Sequence, residues 1–189
     1  MSVWRPRVRG FQTVWPALAG AAQAASIAWP GSGQAVGWLQ VLSLVFLAAG
    51  LVRMASRSVV DSGRAGPVQR AAWFGGVFAT AWLTGCFWWL YVSMHHVGGL
   101  PAPLAVLAVL ALAAALALYY AAASAVWVRL AQGLMARRPG LASALFAALW
   151  TLAELMRGQW FTGFPWGAGG YAHVDSVLAV FAPWVGVYG

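Results

Sequence analysis

The sequence predicts an all-α fold, a polytopic transmembrane helical bundle. Two observations carry that reading. Hydrophobic residues make up 62% of the 189 and charged residues only 7%, with a mean hydropathy of +0.76. Soluble domains carry about 25% charged residues, so this chain could not cover a water-facing surface. The second observation is spacing, because apolar runs of span length alternate with short arginine-bearing stretches. The same composition excludes intrinsic disorder, and a single cysteine, Cys86, excludes a disulfide scaffold.

The apolar runs fall at about 11–29, 36–53, 71–97, 103–129 and 141–160, with an incomplete sixth over 174–189. At 1.5 Å per residue, about 20 residues cross a hydrocarbon core of roughly 30 Å. Five complete spans and the start of a sixth are therefore expected, all helical, since lipid offers no partner for an unpaired backbone group. In the first run Arg5, Arg7 and Arg9 precede the apolar stretch, and Ala22-Gln23-Ala24 resembles a signal-peptide cleavage site. Gln12, Thr13 and Pro16 dilute that stretch, and its removal would upset the charge alternation, which favours an uncleaved helix. The third run carries small residues on one face, Ala71, Gly75 and Ala79, and again at Ala81 and Gly85, as close helix packing in lipid requires. The third and fourth runs exceed one bilayer crossing and are expected to tilt or protrude. Trp29, Trp38, Trp73, Trp127 and Trp160 fall near run ends, at the depth of the headgroups.

The 11 basic residues are all arginine, against three acids, Asp61, Glu154 and Asp175, for a net charge of +8. A basic nucleic-acid-binding face is excluded, because the arginines sit between apolar runs and not on a soluble surface. Alternating spans put ten of the 11 on one side, leaving Arg157 opposite. The positive-inside rule makes that side, with the N-terminus, cytoplasmic.

Glu154 and Arg157, three residues apart in the fifth run, share a helix face and can pair. They lie about 20 and 24 Å along that helix, where an unpaired charge is costly. They read either as a pair anchoring a helix end or as a polar anchor for the segment that follows. That segment, 158–171, is too glycine-rich for a lipid-facing helix and too aromatic for a solvated loop. Pro165 breaks the helix and restricts Phe164 to extended backbone. It reads as a loop folded back at the outer membrane face, presenting Phe164, Trp166 and Tyr171 to lipid or a partner, or as a simple interfacial loop. No metal site is expected. His95 and His96 point about 100° apart on a helix, and no His-Glu-x-x-His pattern exists. Ser32 lies in a Pro-Gly-Ser-Gly turn, and Cys86 reads as a packed thiol.

Two stretches resemble the bacterial apolipoprotein N-acyltransferase family. One is Gly85-Cys86-Phe87-Trp88-Trp89-Leu90-Tyr91-Val92-Ser93 with Gly98-Gly99-Leu100-Pro101-Ala102-Pro103, in which Trp89, Tyr91, Ser93, Gly98, Gly99 and Pro101 match the signature between spans three and four. The other combines Trp150, Glu154, Arg157-Gly158, Thr162-Gly163-Phe164-Pro165-Trp166, Gly170-Tyr171, Asp175, Ala182-Pro183 and Gly186. The resemblance runs through essentially the whole chain, in order. It implies an inner-membrane enzyme with eight spans and a periplasmic nitrilase-like domain between the last two. Such enzymes move an acyl chain from a phospholipid donor to the α-amino group of a lipoprotein's diacylglyceryl-cysteine, through a Glu-Lys-Cys triad, a thioester and no cofactor.

This chain departs from that pattern in two ways. It contains no lysine, and Cys86 matches a transmembrane position of the family, so no catalytic residue is carried over. The resemblance implies the N-terminal membrane part of a longer enzyme, expected to be inactive by itself. Gly163, Phe164, Pro165 and Trp166 are then expected to border the lateral entry for lipid. A stand-alone membrane scaffold or lipid-binding subunit is the alternative, and a transporter or channel half a more distant one.

Overall fold

A computed structural model describes residues 7–56 and 66–188, with side chains from residue 13 onward. Arg5, Arg57, Asp61 and Arg64 lie outside the described residues, as do the side chains of Arg7 and Arg9. Among the described residues all regular secondary structure is helical, in the order α1 (Arg7–Ile27), α2 (Gly37–Ala55), α3 (Pro67–Cys86), α4 (Trp88–Val92), α5 (Ala102–Arg137), α6 (Pro139–Gln159) and a short α7 (Ala182–Val185). A π-type turn, Ser93–Val97, extends α4, and 3-10 turns occupy Trp160–Thr162, Gly169–His173, Val177–Phe181 and Gly186–Tyr188.

Three of these helices, α2, α5 and α6, are long and apolar enough to cross a membrane, and α3 with α4 makes a fourth if the bent pair is one span. The expected five complete spans and a sixth begun go beyond what helix length and composition among the described residues give. The first run forms a 21-residue helix, but its arginines, amides and hydroxyls leave it less apolar than the others. The third run is not one rod. It bends by 52° where Phe87 adopts φ −101° and ψ 8°, outside helical values. That break turns Phe87 wholly into the core while Trp88 stays exposed. The fourth run continues past its expected end into a 36-residue helix about 54 Å long, since no proline intervenes before Pro139. The 174–188 stretch is not a continuous helix. Only Val177–Tyr188 is helical, in 3-10 and α turns that break at Gly186, at φ +65°.

The bundle packs on backbone approach. Gly75 lies so close to Ser124 and the Tyr120 carbonyl of α5 that no Cβ fits between them. Gly20 of α1 lies equally close to the Phe78 carbonyl of α3, and Gly85 faces Ala24. Ala71 and Ala79 are fully buried on the same stripe of α3 as Gly75. These contacts use the small-residue faces that substitute for a hydrophobic drive between helices in lipid. Inside, Phe78, Trp82, Tyr120, Phe146 and Trp150 form one aromatic cluster, with Tyr120 and Trp150 centroids 4.8 Å apart. Large apolar side chains such as Val41, Leu42, Val45, Leu107 and Leu118 point outward, as expected where the solvent is hydrocarbon.

Candidate functional site

The segment after α6 leaves the helix at Gln159 and turns back over the bundle. Phe161 (φ 52°) and Thr162 (φ 74°) both sit in the left-handed region, a costly conformation for an aromatic and a β-branched residue. Gly163 follows at φ +76°, pressed against the Gly158 carbonyl, where a side chain would collide with backbone. This chain reversal sends the Phe164 amide back to the Arg157 carbonyl, 2.8 Å away.

Arg157 completes the clasp. Its Nη1 donates to the carbonyl oxygens of Phe164 (2.6 Å) and Trp166 (2.8 Å), and its Nε donates to the Tyr120 hydroxyl at 2.9 Å. The side chain is fully buried, with its guanidinium carbon 5.9 Å from the centroid of a Trp82 ring. A forked guanidinium suits this task because its donors leave in fixed, coplanar directions. Farther on, Gly169 is gripped from both sides. Its N–H donates to Glu154 Oε1 at 3.0 Å, and its carbonyl accepts from Gln40 Nε2 at 2.7 Å. A Cβ on Gly169 would lie 2.6 Å from that Gln40 nitrogen, so the grip requires glycine.

Glu154 and Arg157 therefore do not bond to each other. Among the described residues every hydrogen bond that their side chains make goes to the loop or to Tyr120. The expectation of a mutual pair is corrected for a geometric reason. The folded-back backbone brings its own amides and carbonyls within reach of both side chains, and each group finds a partner there. A second polar layer lies beneath. Ser43 Oγ donates to Gln23 Oε1 at 2.6 Å, and Ser26 Oγ donates to the Gln23 carbonyl at 2.6 Å. Gln23, Ser26, Gln40 and Ser43 are all buried. Gln23, inside the Ala-Gln-Ala triplet, thus sits within α1 and ties it to α2.

The two resembling stretches meet in space through aromatic rings. Phe87 and Phe164 pack edge to face with centroids 4.9 Å apart, and Trp89 and Trp166 do so at 5.4 Å. Cys86 lies under the loop, where a Cβ on Gly167, at φ +73°, would fall 2.8 Å from its sulfur. Cys86, Phe87 and Trp89 of the first stretch thus meet the loop. Tyr91 instead stacks on His95, with centroids 5.3 Å apart, and His95 Nδ1 lies 2.7 Å from the Leu100 carbonyl. Ser93 accepts the Gly98 amide through its carbonyl, Gly99 takes φ +69°, and Pro101 opens α5. Those residues shape the turn into α5. The outward side of the loop is apolar, with Trp166 56% and Tyr171 44% exposed and Phe161 almost wholly so. Among the described residues no group of three or more His, Cys, Asp or Glu could hold a metal ion.

Sequence reasoning passed over Tyr120, Gln40, Ser43 and the anchoring role of Gln23. A signal existed, since amides and hydroxyls inside apolar runs are expensive unless bonded. Which of them faced the loop depended on packing.

Helices of membrane-crossing length, a buried polar layer at one end and an aromatic loop clasped by it define a helical membrane-type scaffold with one structured face. The comparisons with known proteins are specific. Residues 19–189 match the family described as apolipoprotein N-acyltransferase N-terminal domain. The apolipoprotein N-acyltransferase of Verminephrobacter eiseniae is 55% identical over 179 residues, covering 95% of this chain and 31% of that protein. The enzyme of the same name from Ralstonia nicotianae is 49% identical over 153 residues, 80% of this chain and 27% of its own length. The chain belongs to the apolipoprotein N-acyltransferase family and corresponds to its N-terminal part, spanning about three-tenths of the length of these curated relatives.

Proposed function

We propose that this chain is the membrane platform of a bacterial inner-membrane enzyme that moves an acyl chain from a phospholipid to the α-amino group of a diacylglyceryl-cysteine lipoprotein. Its N-terminus would be cytoplasmic, as the arginine distribution favours. The loop from Gly163 to Trp166, with Tyr171, would then lie at the periplasmic face and border the path by which lipid substrates reach the acyl-transfer centre. The observation that carries this reading is the clasp. Arg157, Glu154 and Gln40 take the loop's backbone polar groups, which leaves Trp166 and Tyr171 free to face acyl chains. A loop with its backbone bonded inward can sit at membrane depth.

These residues would not perform the transfer alone. A thioester mechanism needs an exposed thiolate, a base and an oxyanion donor. This chain has no lysine, and its single thiol is packed beneath Gly167. The test is Trp166→Ala in the complete enzyme carrying this stretch. The expected result is a rise of about tenfold in KM for phospholipid with folding retained, the loss of about 1.4 kcal/mol of binding. Unchanged kinetics toward both lipid substrates would remove the portal. Acyl-enzyme formation from labelled phospholipid by residues 1–189 alone would overturn the inactive-platform reading.

A further inference from the structure

Away from the loop, a trough of about 940 Å³ runs along the outside of the bundle between α1, α3 and α5. Its shape comes from small residues on three helices. Ala17 of α1, Ala72 and Gly76 of α3, and Ala114 and Ala121 of α5 leave a depression that larger side chains would fill. From Arg70 to Thr84 the trough follows about 21 Å of α3, longer than the roughly 15 Å of one leaflet's hydrocarbon. Its walls are almost entirely apolar until one end, where Gln69 and Arg70 stand.

The charge at that end is what names an occupant. Arg70 is only half-exposed, and among the described residues its side chain has no carboxylate partner. Arg70 lies in the first turns of α3, a helix opened by Pro67 and capped by no side chain, so uncapped backbone amides add partial positive charge. Arg53, in the last turn of α2, belongs to the same end of the bundle, because α2 finishes where the connection to α3 begins. Trp73, 58% exposed and one turn from Arg70, offers an amphipathic ring at headgroup depth. The trough thus joins a long apolar floor to one guanidinium at its end. A molecule with one phosphate continuous with a long apolar tail satisfies both features.

We propose that the trough is a phospholipid site, with the phosphate on Arg70 and one acyl chain lying along Gly76 and Thr80 between α3 and α5. Its polar end lies at the α3 N-terminus, some 17 residues before the Phe87 on which the aromatic loop packs, so the proposal does not depend on the acyl-transfer reading. The site holds a lipid as a fixed component and leaves its ester bonds intact.

The test uses the complete enzyme carrying this stretch, reconstituted in nanodiscs with phosphatidylglycerol bearing a diazirine midway along one acyl chain. After irradiation, adducts are mapped by peptide mass spectrometry. Label is expected on the peptides holding Gly76–Thr84 and Leu110–Ala121, and unlabelled phosphatidylglycerol should compete at least fivefold better than diacylglycerol, which lacks the phosphate. Arg70→Gln, at a half-exposed position, should lower the labelling at least fivefold. Ala114→Leu should abolish it by filling the trough, with monodisperse elution confirming the fold. Labelling that spreads equally onto Val41 and Leu42 and ignores Arg70→Gln would overturn the proposal, because only annular lipid would then be present. Equal competition by diacylglycerol, or adducts joining two copies of the chain across the trough, would also overturn it.

Discussion

Arg157→Lys tests whether the loop is held by the shape of the guanidinium or only by its charge. The native side chain makes three hydrogen bonds from two nitrogens, to Phe164 O at 2.6 Å, Trp166 O at 2.8 Å and the Tyr120 hydroxyl at 2.9 Å. A lysine keeps the positive charge, but its ammonium is a single point on a flexible stem and cannot serve both the two carbonyls and Tyr120. At least one charge-assisted bond is lost, worth about 1.5–3 kcal/mol. If the loop opens locally while the bundle stays folded, its opening constant should rise by about 10–150-fold. Hydrogen exchange in nanodiscs reads this directly, because the Phe164 amide bonds the Arg157 carbonyl and the Gly169 amide bonds Glu154. Tyr120→Phe removes only the Nε partner and should accelerate the same amides about fivefold to tenfold, in keeping with one bond of about 1–1.5 kcal/mol. Native exchange at Phe164 and Gly169 in Arg157→Lys would show that the clasp is incidental, and the loop would then have to be held by its aromatic contacts.

The Glu154 contact predicts a contrast between two replacements. Glu154→Gln keeps an acceptor for the Gly169 amide and should leave loop exchange within about threefold of native, whereas Glu154→Leu strands that amide and should cost about 1–3 kcal/mol in the same measurement. Gly167→Ala puts a Cβ 2.7 Å from the Cys86 Cβ and 2.8 Å from its sulfur at a left-handed φ and should lower thermal stability in detergent by about 2 kcal/mol or more, with partial rescue when combined with Cys86→Gly. Gly75→Leu should prevent α3 and α5 from closing and leave the chain aggregated on size exclusion, since the position admits not even a methyl group.

Much of the bundle was legible because its causes are local. Apolar runs bounded by Pro67, Pro101 and Pro139 mark where α3, α5 and α6 begin, and the small residues of α3 announce a close face. The misreadings share one origin, a count of hydrophobic residues without regard to backbone. Phe87 carries no proline or glycine to announce a break, yet the chain bends by 52° there because the core accepts its ring and rejects those of the two tryptophans that follow. Nothing within the third run encodes that choice, since the surface that accepts Phe87 includes Phe164, some 77 residues away. The 174–188 stretch is as apolar as a span, but its helical turns begin only at Val177 and break at Gly186, at φ +65°, before span length is reached.

The same distinction governs the polar layer. Two charges three residues apart on a helix read naturally as a pair, because the sequence shows each only the other. Folding offers a different set of partners, and backbone groups that cannot reach water outbid a mutual ion pair. The loop has amides and carbonyls from Phe164 to Gly169 that no helix satisfies, and at membrane depth an unmet one costs several kcal/mol. An arginine and a glutamate that pair together leave those groups stranded, whereas the same two residues turned upward take two carbonyls and an amide and bury themselves as they do so. Gln40 from α2 supplies the remaining donor, so the loop's position is set by three helices at once. This makes glycine at 169 and the reversal at Gly163 consequences of the clasp: the backbone must approach Gln40 and Gly158 more closely than any side chain permits. With the backbone groups of Phe164, Trp166 and Gly169 bonded inward, the loop's outward side is left to Trp166 and Tyr171, the property that the proposed lipid-facing edge requires.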